Sequence, residues 1–333
     1  MHSDHNPALN QLPATHVPVE RLPCQAGPFS MSYRFDLQIL KTSLKTVGLL
    51  NLPLLLKTGE GAYSIVSGYR RISALREMGS REIPARVLEE YQISSLDALL
   101  INFYDNLATR EFNPVEKGMI LGRLAKYLSK NQLLDHYMPL LKLPARMATL
   151  KHFISFDRDL DEATKMSLIE GRISESTAVA LLMLSKKERA AVATLFEKIP
   201  FNRNQQKQLL ELLSDICRIM EIPIDEMIRT QTFTDILESP CMNRPQMTRA
   251  LLAFLRAKRF PRLSRAEEVF RKTIARLDLP PEVRINAGPY FESEHYRMEI
   301  TFRNGLELKS LIDRLAALEP LSRIRDPWEG EGQ

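Results

Sequence analysis

Residues 63–84 read Tyr-Ser-Ile-Val-Ser-Gly-Tyr-Arg-Arg-Ile-Ser-Ala-Leu-Arg-Glu-Met-Gly-Ser-Arg-Glu-Ile-Pro. Tyr63 to Val66 is a short β-branched run, Ser67-Gly68 is a turn, and Arg70-Arg71 open a helix that the spacing predicts to end near Gly79. A strand that turns through glycine into a helix presents unpaired backbone N–H groups and the positive end of the helix dipole. Gly68 lets the backbone approach a ligand closely, and the planar guanidinium forks of Arg70 and Arg71 suit phosphate or carboxylate oxygens. The stretch therefore sketches an anion site, with Ser67, Gly68, Arg70 and Arg71 as its candidate residues. The plainer reading is an exposed first turn whose arginines pair with Glu77 or Glu82.

Working outward, the chain reads as four regions after a polar tail at residues 1–16. Residues 17–112 carry strands near Val17–Val19, Leu52–Leu56, Tyr63–Val66 and Pro84–Leu88. A helix follows over Leu96–Leu107, with Leu96, Leu99, Leu100, Phe103 and Leu107 on one face, and it carries Asp105 and Asn106 toward its C-terminal end. From 113 to 200 the strand pattern stops. Asn113 caps and Pro114 opens a helix predicted to reach Leu128, with Val115, Met119, Ile120, Leu124 and Leu128 on one side. A short helix over Leu133–Leu141 leads through Lys142-Leu143-Pro144 into another beginning at Pro144. Leu150, Phe153 and Ile154 form that helix's apolar side, leaving Arg146, Thr149 and Lys151 for solvent or DNA. The pair has the spacing of a helix-turn-helix, although the turn lacks glycine and any two short helices joined at proline would look alike.

Ser185 to Glu188 is a capping box for a helix over Arg189–Glu197, and a further helix is expected over about Asn204–Met220. Residues 201–280 are read as a helical region with a basic linker, interrupted at Pro240, Pro245 and Pro261. Residues 281–333 read as a hairpin, Val283–Ala287 with Arg297–Phe302, followed by an amphipathic helix over Leu306–Leu318. So small a unit is expected to pair with a second copy.

Composition sets the outer limits. A chain of 333 residues that is 44% hydrophobic has enough material for roughly two or three domains with real cores. Cys24, Cys217 and Cys241 have no short paired spacing, which argues against a disulfide framework or a zinc site and for reduced thiols. The histidines are scattered, and His2 and His5 fall in the polar tail, read as disordered. No run of about 18 apolar residues and no apolar leader core appear, so no membrane association is expected and the expected location is the cytoplasm, with the nucleoid or a plasmid. The net charge of +5 is unevenly spread: Arg244 to Arg276 holds ten basic residues against Glu267 and Glu268, leaving −3 for the remainder. Such a band is either a solvated helix face or a contact for phosphate backbones.

The box Gly68-Tyr69-Arg70-Arg71 resembles the glycine-X-arginine-arginine box of the ParB partition-protein family. The resemblance extends upstream to Leu40–Pro53 and onward to Ile83–Val87, Asp105-Asn106-Leu107, Asn113-Pro114-Val115-Glu116 and Glu170–Ser174, spanning about residues 17–185. It implies an α+β chain: a small mixed α/β nucleotide-binding N-terminal domain, an all-helical helix-turn-helix middle domain, and the hairpin-helix unit as a dimerisation element. The implied function is a dimeric clamp gated by cytidine triphosphate (CTP) and Mg2+, acting in DNA partition on double-stranded DNA, with a ParA-type ATPase as a partner. By position, Ser67, Gly68, Arg70, Arg71 and Asn106 would hold the nucleotide, Asp105 and Asn106 the metal, and Arg146, Thr149 and Lys151 DNA.

The departures from the family pattern are as specific. Tyr69 stands where a glutamate is usual, Ala108 and Thr109 where glutamine and arginine are usual, Arg110 comes one place late, and Asp105 replaces a longer glutamate. These changes imply weak or absent hydrolysis, and no catalytic residue is assigned. Two alternatives follow from the same fold: a nucleotide-independent regulator of a plasmid or phage, and a small-molecule kinase. A sulfinic-acid reductase is excluded because the box lacks cysteine.

Overall fold

The computed structural model describes residues 9–59, 61–288, 291, 295–318, 321 and 324. It divides into two units, residues 1–197 and 198–333. In the first, β1 (Ala14–Pro18), β2 (Leu54–Thr58), β3 (Ala62–Ser67) and β4 (Glu82–Glu89) form one sheet in the order β1-β4-β2-β3. β1 and β4 run antiparallel, β2 and β4 parallel, and β2 and β3 antiparallel with a register shift between Leu54 and Leu55. Helices α1 (Gln38–Val47), α2 (Tyr69–Glu77) and α3 (Ser95–Leu107) complete this α/β layer. The core joins Val17, Leu22, Leu55, Ile65, Ile72, Ile83 and Ala85, so the inward residues of all four strands and of α2 meet in one cluster.

Two N-terminal expectations change. The polar tail expected through residue 16 holds a 3-10 turn at Leu9–Gln11, and the strand expected at Val17–Val19 runs instead over Ala14–Pro18, with Val19 opening a further 3-10 turn to Arg21. Ala14, Thr15 and His16 are exposed, so their strand is held by ladder bonds to β4 and leaves no apolar signature. Residues 1–8 of that tail, with His2 and His5, lie outside the described residues.

Beyond the sheet the first unit is helical: α4 (Pro114–Leu124), α5 (Lys130–Gln132), α6 (Met138–Leu140), α7 (Met147–Arg158), α8 (Glu162–Ile169), α9 (Glu175–Leu182) and α10 (Lys186–Lys198). The Asn113 capping box forms: its side chain accepts from the Glu116 N–H, and Glu116 returns to the Asn113 N–H. α4 stops at Leu124, four residues short of the expected end, in a tightened turn through Leu128. The helix expected over Leu133–Leu141 starts earlier, with α5, and the expected span is a π-turn at Leu133–Tyr137 running into α6, beside Pro139, which has no N–H to donate. α7 begins at Met147 because Arg146 is extended, at φ −129° and ψ 138°. Its buried side is Leu150, Phe153 and Phe156, while Ile154 is half-buried.

α4 and α7 cross closely at Gly118. A Cβ built on Gly118 would stand 2.9 Å from the Phe153 carbonyl carbon and 3.4 Å from the Asp157 nitrogen. The turn before α7 also explains its missing glycine. Lys142 itself takes the left-handed conformation, at φ +57°, while its N–H bonds to the Pro139 oxygen and that of Leu143 to the Met138 oxygen.

The second unit contains α11 (Arg203–Met220), α12 (Ile224–Ile228), α13 (Gln231–Leu237), α14 (Arg244–Arg259) and α15 (Pro261–Ala275). It continues with the hairpin β5 (Val283–Ala287) and β6 (Tyr296–Ile300), then α16 (Gly305–Ala316). Its buried residues include Leu209, Leu213, Ile216, Met227, Phe233, Leu251 and Leu255. Pro245 and Pro261 were read as interruptions of the basic stretch. They occupy the first turns of α14 and α15, where a missing N–H is not needed, so the band is two helices. No described helix is long and apolar enough to cross a membrane.

Candidate functional site

β3 delivers Ser67 to the edge of the sheet, and Gly68 turns the chain into α2 at φ +95°, a conformation disfavoured for residues with a Cβ. Space reinforces the choice, since an added Cβ would lie 2.9 Å from Pro53 Cβ and 3.0 Å from Pro53 Cα. The first N–H groups of α2 thus emerge at a cavity of about 290 Å³. Ser67, Gly68, Tyr69, Arg70 and Arg71 line it from this side, Asn102, Asp105, Asn106, Thr109 and Arg110 from α3 and its end. Every residue predicted for the nucleotide and metal is therefore brought to one cavity. Arg146, Thr149 and Lys151 stand apart at the start of α7, with Arg146 and Lys151 exposed and Thr149 half-buried.

The two arginines line this cavity, and neither pairs with Glu77 or Glu82: Arg71 meets Asp105 in the cavity wall, and Arg70 meets Glu116, which lies outside the lining. Arg71 donates to the Asn51 carbonyl at 2.6 Å and pairs with Asp105 at 3.3 Å. Asp105 also accepts from the Ser67 hydroxyl. Arg70 donates to Ser32 Oγ at 3.2 Å and to Glu116 Oε1 at 2.9 Å, with its guanidinium 4.8 Å above the Phe35 ring. Burial lowers the affinity of both guanidinium groups for their protons. For Arg70 the nearby Arg110 adds to this and Glu116 opposes it, while for Arg71 Asp105 opposes it. Both stay charged.

Asn102 anchors α3 to the sheet by donating to the Val66 carbonyl at 2.5 Å, and Asn106 donates to the Asn102 carbonyl at 2.8 Å. Asn106 Oδ1 accepts from Arg110 Nε at 2.9 Å. Thr109 folds back onto the Asp105 carbonyl, and the Tyr69 hydroxyl reaches the Cys24 carbonyl at 3.4 Å.

Sequence reading missed the wall opposite α2. Ser30 and Ser32 line the cavity from an irregular strap that precedes α1. Arg110 holds this strap through the Met31 carbonyl at 3.0 Å and Ser32 Oγ at 3.1 Å, and Arg123 donates to the Ser30 carbonyl. The Ser30 hydroxyl is buried with no hydrogen-bond partner. Below the strap, the Tyr33 hydroxyl donates to Glu162 at 2.5 Å, and burial together with that carboxylate pushes its pKa up to about 12. No periodicity marks the strap, so only Phe29 and Met31 hinted at burial. Among the described residues no group of three histidine, cysteine, aspartate or glutamate side chains is placed to hold a metal. Cys24, Cys217 and Cys241 form no disulfide.

A second charged surface lies in the other unit. Arg244, Arg249, Lys258, Arg262, Arg265, Arg271, Lys272 and Arg276 are exposed on α14, α15 and the residue after it. Arg256 and Arg259 are partly covered and pair with Glu267 and Asp215.

Residues 3–106 match the family model of the ParB N-terminal domain. A probable plasmid-partitioning protein ParB from Thermus thermophilus is 36% identical over 100 residues, which is 29% of this chain and 32% of that protein. A probable chromosome-partitioning protein ParB from Pseudomonas putida is 28% identical over 186 residues, 54% of this chain and 60% of the relative. The chain thus spans about a third to three fifths of the length of these relatives. A crystal structure of C-terminally truncated ParB from Caulobacter crescentus complexed with CTP-γ-S overlaps 55% of this chain and 98% of that one, at 19% identity and a TM-score of 0.26.

Proposed function

We propose, from the match of residues 3–106 to the ParB N-terminal domain, that the chain is a ParB-like DNA-binding partition factor whose N-terminal cavity takes a nucleoside triphosphate, CTP by family resemblance. The observation that carries the nucleotide reading is the convergence of Gly68 at φ +95°, the start of α2, Arg70 and Arg71 on one cavity. A polyphosphate needs clustered donors in a water-poor cleft, and these residues supply backbone N–H groups and guanidinium forks together. Magnesium brought by the nucleotide would need few protein ligands, and Asp105 is the carboxylate in the cavity wall. Neither Ala108 nor Thr109 offers a cation or a carboxamide to the reacting phosphate, which supports binding with weak or absent hydrolysis.

For DNA, the reading takes α7 as the recognition helix, with exposed Arg146 and Lys151 and half-buried Thr149 at its N-terminal end, and α14–α15 as a phosphate-seeking face. The dimer, through the hairpin and α16, and the ParA-type ATPase belong to the same reading, as does a place on the nucleoid or a plasmid. One observation favours a second reading, a nucleotide-independent regulator: Arg70 and Arg71 already have carboxylate partners. Selection of bound duplexes from a random pool, with and without CTP and Mg2+, separates the two. Nucleotide-dependent retention on a specific duplex is expected. Specific binding indifferent to nucleotide would favour the regulator, and no duplex binding at any salt concentration would remove both.

A further inference from the structure

The Arg70 carboxylate partner is not part of the cavity lining; it lies behind it. Glu116 is 1% exposed, and each oxygen is engaged twice. Oε1 accepts from Arg70 Nη2 at 2.9 Å and the Tyr33 N–H at 3.1 Å. Oε2 accepts from Arg110 Nη1 at 2.6 Å and the Asn113 N–H at 3.1 Å. One buried carboxylate therefore holds two of the cavity's three guanidinium groups from the side away from the ligand space, and it joins them to the strap and to the first turn of α4.

We propose that Glu116 is a specificity-determining residue: an internal anion that competes with a ligand's phosphates for Arg70 and Arg110 and so sets how much negative charge a ligand must carry to be held. The inference rests on the nucleotide reading above and extends it. With Glu116 ionised, the side chains of Arg70, Arg71, Arg110, Asp105 and Glu116 carry a net +1, most of it spent on internal pairs. Removing the Glu116 charge raises this to +2 and frees the Arg70 fork to turn toward the cavity. A ligand with several phosphates gains most, because the gain scales with the charge it brings. Electrostatic competition thus predicts the opposite sign from a merely structural role, in which loss of Glu116 loosens the strap and weakens every ligand alike.

The test is calorimetric titration of the full chain and of Glu116→Gln with inorganic triphosphate, CTP and CMP, with a thermal melt of each protein to establish folding. Glutamine keeps the size and part of the hydrogen bonding. Glu116→Gln is expected to bind inorganic triphosphate and CTP about tenfold more tightly, with a smaller change for CMP. Should that variant not fold, Glu116→Asp keeps the charge but draws it back by one methylene from both Arg70 and Arg110, and a smaller change of the same sign is expected. CTP binding by the natural chain with equal or weaker triphosphate binding by the folded variants would overturn this inference and leave the nucleotide reading standing. No binding of any of the three ligands by either protein would overturn both.

Discussion

Replacing Gly118 with alanine sets two effects of known sign against each other. Alanine is about 1 kcal/mol better than glycine inside a helix, so propensity alone predicts stabilisation. At the α4–α7 crossing, however, the new methyl would stand 2.9 Å from the Phe153 carbonyl carbon and closer still to its oxygen. Ordinary carbon–oxygen approach is about 3.3–3.6 Å, so the methyl and the carbonyl must move apart by roughly 1.5 Å. The neighbour is helical backbone, which cannot rotate away as a side chain would. It is wedged by Phe153 and Phe156 on α7 and by Ile120, Leu121 and Leu124 on α4, all buried. Overpacking of this kind costs about 1–3 kcal/mol and sometimes more, and a rigid obstacle places it at the upper end. The net expectation is a loss of about 2 kcal/mol, or roughly 4–8 °C in melting temperature for a unit of this size. Gly122 is an internal control on the same helix, because its added Cβ would meet only Ile154 Cγ2, at 3.8 Å. Gly122→Ala should therefore gain up to about 1 kcal/mol. Both variants can be followed by urea denaturation with circular dichroism. A Gly118→Ala protein as stable as the natural chain, or more so, would refute the close crossing.

Two further outcomes are expected from the same framework. Lys142→Gly should raise stability by roughly 0.5–1 kcal/mol in urea denaturation, because lysine now holds a left-handed φ of +57° and its ion pair with Glu111 is exposed; a loss would mean that the turn is not left-handed. The unfolded chain ionises tyrosine near pH 10, whereas folded Tyr33 keeps its proton to about 12. Its contribution is therefore complete below pH 10 and is lost as pH rises from 10 to 12, by on the order of 1 kcal/mol after allowing for solvent screening. Tyr33→Phe should flatten that part of the stability curve, and an unchanged slope would show that Glu162 does not hold the hydroxyl.

Much of this architecture is legible in the residues. Alternation and apolar spacing reveal β2, β3, β4 and α3, and the Asn113-Pro114-x-Glu116 pattern marks the start of α4, because these signals are local. The cavity's near wall is legible for the same reason: Ser67, Gly68, Arg70 and Arg71 are consecutive or nearly so. What stays hidden depends on distant partners. Asn113 reads as the cap of α4 and Glu116 completes its box through Oε2, yet the other oxygen of that carboxylate, Oε1, holds Arg70 from 46 positions away. Gly118 looks like a weak point in a helix until Phe153 is placed against it. The strap that supplies Ser30 and Ser32 has neither helical nor strand periodicity, and β1 is an edge strand with exposed side chains. Lys142 shows the converse case, in which a left-handed turn is made without the residue that normally announces it.

The account turns on whether the loop between β3 and α2 grips a triphosphate, and titration calorimetry of the full chain with CTP and Mg2+, repeated on Arg71→Ala, reads this directly. Arg71 donates to Asn51 and pairs with Asp105 in the cavity wall, so its loss should leave the fold intact while removing at least one charge-assisted contact to phosphate. Saturable CTP binding by the natural chain, weakened at least about tenfold in the variant, is the predicted result. No heat of binding in the natural chain, or equal affinity in both proteins, would contradict it.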